Sequence, residues 1–152
     1  MISCFLDFLL LIIFFLIMYK DIKDNIIPDS LTLGIFLLAL MKILFVTKDF
    51  ETGFLGMGTY PIVFLFIYGY VSDFLKKEVV GFGDIKLLAG IGFYLGYKNL
   101  YCLVIFYNII FVLSFLYIIP YFFKNKVIKN QKIAFAPFIC IGAIIFYLGV
   151  YL

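Results

Sequence analysis

Residues 9–40 read LLLIIFFLIM-YKDIKDNIIPDS-LTLGIFLLAL, two oily runs parted by a polar break that ends in Pro28-Asp29-Ser30. A spanning helix needs roughly 20 predominantly apolar residues, and the run that ends near Tyr19 supplies one. Pro28 disfavours helix in the residue before it, and Asp29 or Ser30 can cap the helix that follows. Helix, polar turn, helix is the pattern, and the rest of the chain repeats it. Of the 152 residues 66% are hydrophobic, against about 45–50% in a soluble domain. With a mean hydropathy of +1.21, the excess has to face lipid. The length suits one domain, taken as a single membrane-embedded unit over 1–152.

The sequence predicts an all-α polytopic membrane protein, a bundle of about six transmembrane helices near 2–19, 31–47, 55–74, 84–98, 100–120 and 133–151. The breaks have physical causes. Thr47 to Gly53 is a short polar turn. Lys76, Lys77 and Glu78 end the third span, and Gly81-Phe82-Gly83 follows as a flexible link. Tyr97-Lys98-Asn99 reverses the chain, Pro120 starts the exit from the fifth span, and Lys124 to Lys132 is basic. The N-terminus has no basic region and no small-residue cleavage pattern, so it reads as the first span rather than a removable signal. The fourth span is short, about 22 Å at 1.5 Å per residue. It carries Gly90, Gly92 and Gly96, the last two spaced for close helix packing, which predicts a helix buried among its neighbours. Asn108 and Ser114 in the fifth span read as interhelical hydrogen-bonding residues.

All 12 basic residues are Lys, and their placement sets an orientation. The breaks after the first, third and fifth spans gather Lys20, Lys23, Lys76, Lys77, Lys86, Lys124, Lys126, Lys129 and Lys132. The opposite side has Lys42, Lys48 and Lys98. By the positive-inside rule the first set is cytoplasmic and both ends of the chain lie outside. This distribution accounts for the net charge of +3 better than a nucleic-acid partner does, and none is expected.

The chain has no His, which excludes Ser-His and Cys-His nucleophile systems and the common His-based zinc site. Cys4, Cys102 and Cys140 stand singly among apolar residues, without C-x-x-C spacing. No metal or cofactor is expected. What remains is acid. Carboxylates in spanning segments are costly and suggest function. Asp21 and Asp84 sit at the edges of two spans on the same predicted side. A pair of carboxylates that meet at a membrane face can hydrolyse a peptide bond without metal or cofactor.

Three strings carry a resemblance. Asp21-Ile22-Lys23-Asp24-Asn25-Ile26-Ile27-Pro28-Asp29 resembles the first-aspartate segment of type IV prepilin peptidases. Gly81-Phe82-Gly83-Asp84-Ile85-Lys86-Leu87 is similar to that family's G-x-G-D-x-K-L segment. Ile133 to Phe138 resembles a third motif, usually written with Gly where this chain has Ala136. The resemblance implies a membrane aspartyl endopeptidase that cuts prepilin-like or pseudopilin precursors at the cytoplasmic face, after the Gly ending a short basic leader. Asp21 and Asp84 take its two catalytic positions. Like charges at close range cannot both ionise cheaply, so the pair would share one proton.

Around the pair, Asp24 is the nearest impostor, since three residues on it would share a face with Asp21 if the helix continues. Gly81 and Gly83 read as backbone slimness for an extended substrate, or as a helix-entry turn. Lys86 and Lys23 reach toward lipid phosphates, or orient the opposite Asp. Pro28 shapes the turn, and Pro137 reads as a first-turn helix starter. Asp24, Asp29, Asp73 and Glu78 are candidates to receive the basic leader. Missing C-x-x-C pairs imply cleavage without methylation by this chain. An archaeal-type preflagellin peptidase is the neighbouring alternative. A non-catalytic six-helix transporter or scaffold is the alternative of another class, disfavoured by unbroken spans with acids only at their edges, Asp7 among them.

Overall fold

The computed structural model describes residues 2–76, 80–123 and 134–151. These residues form helices joined by short turns: α1 (Ile2–Asp24), α2 (Asp29–Lys42), α3 (Phe50–Thr59), α4 (Ile62–Phe66), α5 (Ser72–Leu75), α6 (Phe82–Leu95), α7 (Leu100–Phe123) and α8 (Ala136–Tyr151). Single π-helical turns extend α2 over Ile43–Thr47 and link α4 to α5 over Ile67–Val71. The described residues therefore make an all-α membrane protein of six rods, with α3, α4 and α5 end to end in one of them. Ile2–Asp24, Asp29–Thr47, Phe50–Phe74 and Leu100–Ile119 are long and apolar enough to cross a membrane, and α8 is a shorter apolar helix.

α6 is the axle. It packs against α2, α3 and α8, while α1 packs on α2 and α8, and α7 on α8. Every residue from Ile91 to Leu95 is buried, so no lipid-facing side is left there. Its 14 residues rise only about 21 Å, which agrees with the short fourth span. The glycines divide their work. A Cβ on Gly92 would strike the Gly56 carbonyl of α3 and one on Gly56 would strike the Gly92 carbonyl, so the two backbones touch. Gly96 instead ends α6 in a left-handed conformation, φ +73°.

Several boundaries differ from the sequence reading. The first helix runs through Asp24 rather than stopping near residue 19, and ends where Asn25 turns left-handed (φ 51°). The third rod begins at Phe50, not 55, because the Asp49 carboxylate accepts the Thr52 N–H at 3.2 Å and caps it. That rod is also broken: Pro61, with no N–H to give and a ring that crowds the preceding turn, separates α3 from α4. The Tyr107 hydroxyl from α7 donates to the Tyr60 carbonyl beside this break. Neither Asp29 nor Ser30 caps α2, whose N-cap is Pro28 in extended geometry. Asn108 and Ser114 do not bridge helices. Each donates back to its own helix, to the Val104 and Ile110 carbonyls at 2.8 Å.

A polar cluster absent from the sequence reading lies at the end of the bundle away from Asp21. Asp7 of α1 accepts hydrogen bonds from Tyr94 of α6 (2.6 Å), Tyr147 of α8 (3.0 Å) and Ser3 (3.3 Å). The buried Lys42 ammonium sits 4.0 Å from the Tyr94 ring centre and 5.0 Å from that of Tyr147.

Candidate active site

The buried face of α1 runs Leu6, Leu10, Phe14, Ile17, Asp21. Steps of four and three keep one stripe facing inward, and the stripe ends on a carboxylate. Asp21 is therefore 6% exposed although its helix neighbours at the turn are open to the surroundings. Asp84 is the third residue of α6 and 9% exposed. Residues from opposite halves of the sequence thus arrive at one place. Both carboxylates line a cavity of about 450 Å³, with the 25–28 turn and the Gly81 to Gly83 segment as walls. They are close enough for the charge of Asp21 to bear on Asp84.

The glycines of the second string are explained by this wall. A Cβ on Gly83 would lie 3.2 Å from Ile27 Cβ, and one on Gly81 would lie 3.3 Å from Asp84 Oδ2. Bare backbone lets the start of α6 press against the 25–28 turn, and it leaves room beside Gly81 for the Asp84 carboxylate. Pro28, at φ −66° and ψ 131°, holds that turn extended and lines the cavity.

The remaining candidates separate. Lys86 lines the cavity but pairs with Asp29 Oδ1 at 2.7 Å. It is placed on Asp29 rather than on the opposite Asp. The same pair occupies the Asp29 carboxylate, a candidate for receiving a basic leader. Asp24 does share α1 with Asp21, but it is exposed and paired with Lys20 at 3.5 Å, outside the cavity. Three residues rotate a helix about 300°, enough to carry Asp24 off the buried stripe. Asp73 is exposed, and Lys23 is exposed beside the Tyr19 ring. Glu78 lies outside the described residues. Pro137 is the second residue of α8. Just before it, the Ala136 N–H donates to Asp21 Oδ2 at 2.9 Å. Cys140, one turn along α8, is fully buried. The backbone contact at Ala136 had no side-chain signal in the sequence beyond the weak third string.

A helical membrane bundle with two buried acids sharing one cavity at a helix end defines a narrow class. Residues 8–122 match the model of the type IV leader peptidase family. The chain is 32% identical to a prepilin leader peptidase/N-methyltransferase of Legionella pneumophila, over 91% of this chain and 48% of that protein. The chain belongs to the type IV leader peptidase family, and it spans about half the length of that relative. No solved structure matches it significantly.

Proposed function

We propose that this chain is an aspartic-type endopeptidase of the membrane, cutting prepilin-like precursors with Asp21 and Asp84. The observation that carries the reading is the meeting of these two carboxylates, from α1 and α6, in one cavity. Family membership supplies the substrate class. The positive-inside rule, applied to Lys20, Lys23, Lys76 and Lys86, supports a cytoplasmic placement of the cavity's end, with both chain ends outside. There the site meets a substrate whose leader has not crossed the bilayer.

The chemistry follows from sharing a proton. The ionised partner accepts a proton from a water molecule as its oxygen attacks the scissile carbonyl carbon. The protonated partner donates a hydrogen bond to the carbonyl oxygen. Collapse of the tetrahedral intermediate breaks the C–N bond, and a proton passes to the leaving amine. Closely coupled acids titrate as a pair. The cavity has the size of sites that enclose a few side chains, enough for the residues flanking one peptide bond.

The test is direct. Protein purified in detergent should cut a prepilin-like substrate after its leader, and Asp21→Asn and Asp84→Asn should not. Undiminished cleavage by either variant would remove the proposal.

A further inference from the structure

The entry into α8 bears on the acid pair in a way its own residues do not explain. Residues 134 and 135 are non-helical, and the helix starts at Ala136. A helix start leaves its first N–H groups without intrahelical partners. Phe138 and Ile139 send theirs back to the Phe135 carbonyl, at 3.1 and 3.4 Å, and Pro137 has none. The amides of Phe135 and Ala136 are left, and that of Ala136 donates to Asp21 Oδ2 at 2.9 Å. Asp21 thus stands where an N-cap side chain would stand, although it lies 115 residues away in sequence.

We infer that the start of α8 is the positioning element for Asp21: the Ala136 N–H holds one carboxylate oxygen and leaves the other turned to the cavity and Asp84. The inference rests on the aspartic-peptidase reading. Asp84 is placed differently, in the first turn of its own helix, where its N–H donates to the Gly81 carbonyl at 3.1 Å. A backbone amide suits this task for physical reasons. It has no rotamers to lose, does not titrate, and brings no full charge. A lysine in its place would form an ion pair and weaken Asp21 as a base. Lys86, the lysine at the cavity, is engaged by Asp29 instead. The other titratable groups near Asp21 are Asp84 from α6 and the buried Cys140 thiol from α8.

The decisive variant replaces Ala136 by lactic acid in the full chain through nonsense suppression, exchanging N–H for an ester oxygen and keeping the side chain. A hydrogen bond to a charged group is strong enough that kcat should fall about 10- to 100-fold. KM should stay near that of the parent, and kcat is counted per folded molecule, since the lost hydrogen bond also lowers the melting temperature. Ala136→Gly, which keeps the N–H, should recover most of kcat. An ester variant with parental kcat overturns the inference, as does a loss expressed only through KM or melting temperature. The ¹³C carboxyl resonance of Asp21 reads the same contact without turnover. It should shift in the ester variant and stay in Ala136→Gly, and an unmoved resonance also overturns the inference. A parent that cuts no prepilin-like substrate while the resonance shifts would instead remove the peptidase reading and keep the contact.

Discussion

Asp7 and Asp21 lie on one helix, fourteen residues apart, a separation of almost four turns that returns to the same face. Both turn toward α6 and α8, yet their surroundings are finished differently. Around Asp7 hydroxyls donate to both oxygens, and the buried Lys42, against the two tyrosine rings, is near enough for the charge of Asp7 to bear on it. Around Asp21 one oxygen is held by backbone, a second acid stands near, and a cavity opens. A carboxylate whose lone pairs are taken by fixed donors anchors helices and has little left for a water molecule. A carboxylate half held beside another acid keeps its capacity to move a proton. The Asp7 end is built as a tie between helices, and the Asp21 end is the one the proposed chemistry needs.

The sharpest way to break this comparison is at the Asp21 end. Asp84→Asn should cut cleavage by about 10²- to 10⁴-fold, the range of a lost general acid or base, and leave the melting temperature at or above the parent's. Gly92→Ala probes the axle that joins both ends. Its Cβ meets the Gly56 carbonyl, so overpacking should cost about 1–3 kcal/mol and lower cleavage as well, measured on the same detergent-purified sample. At the Asp7 end, Tyr94→Phe removes one donor from Asp7. Stability should drop by about 1–2 kcal/mol in a denaturation series, while cleavage per folded molecule stays within about twofold of the parent. If Tyr94→Phe abolished cleavage without unfolding, the two ends would not be separable. Lys86→Met removes the rim ion pair with Asp29, and surface pairs contribute about 0–1 kcal/mol. Melting should hardly move. Asp24→Asn should be the least consequential, with kcat/KM unchanged, since its carboxylate faces Lys20 away from the cavity.

Much of this architecture was legible because lipid imposes a simple rule: long apolar runs become helices, and polar breaks become turns. The lysine asymmetry and the two acid strings placed Asp21 and Asp84 on one side before any contact was known. Asp24 was ambiguous on spacing alone, since i and i+3 share a broad face, and packing settled it by carrying the buried stripe through Asp21. The Asp7 cluster was hidden because its donors, Tyr94 and Tyr147, are ordinary apolar-compatible residues whose hydroxyls matter only once α1, α6 and α8 meet. The break at Pro61 was visible as a residue and missed as a consequence, because the apolar run continues across it.

The sequence by itself determined that this chain is a helical membrane protein, which rods it has, and which carboxylates are worth attention, because hydropathy and charge act locally and need no partner. Only the tertiary structure decided which of those acids face one cavity, which is tied off by hydroxyls, and that a backbone amide from the last helix holds Asp21. Such facts depend on how stripes and helix starts from distant segments interlock, and one-dimensional patterns carry no record of that geometry.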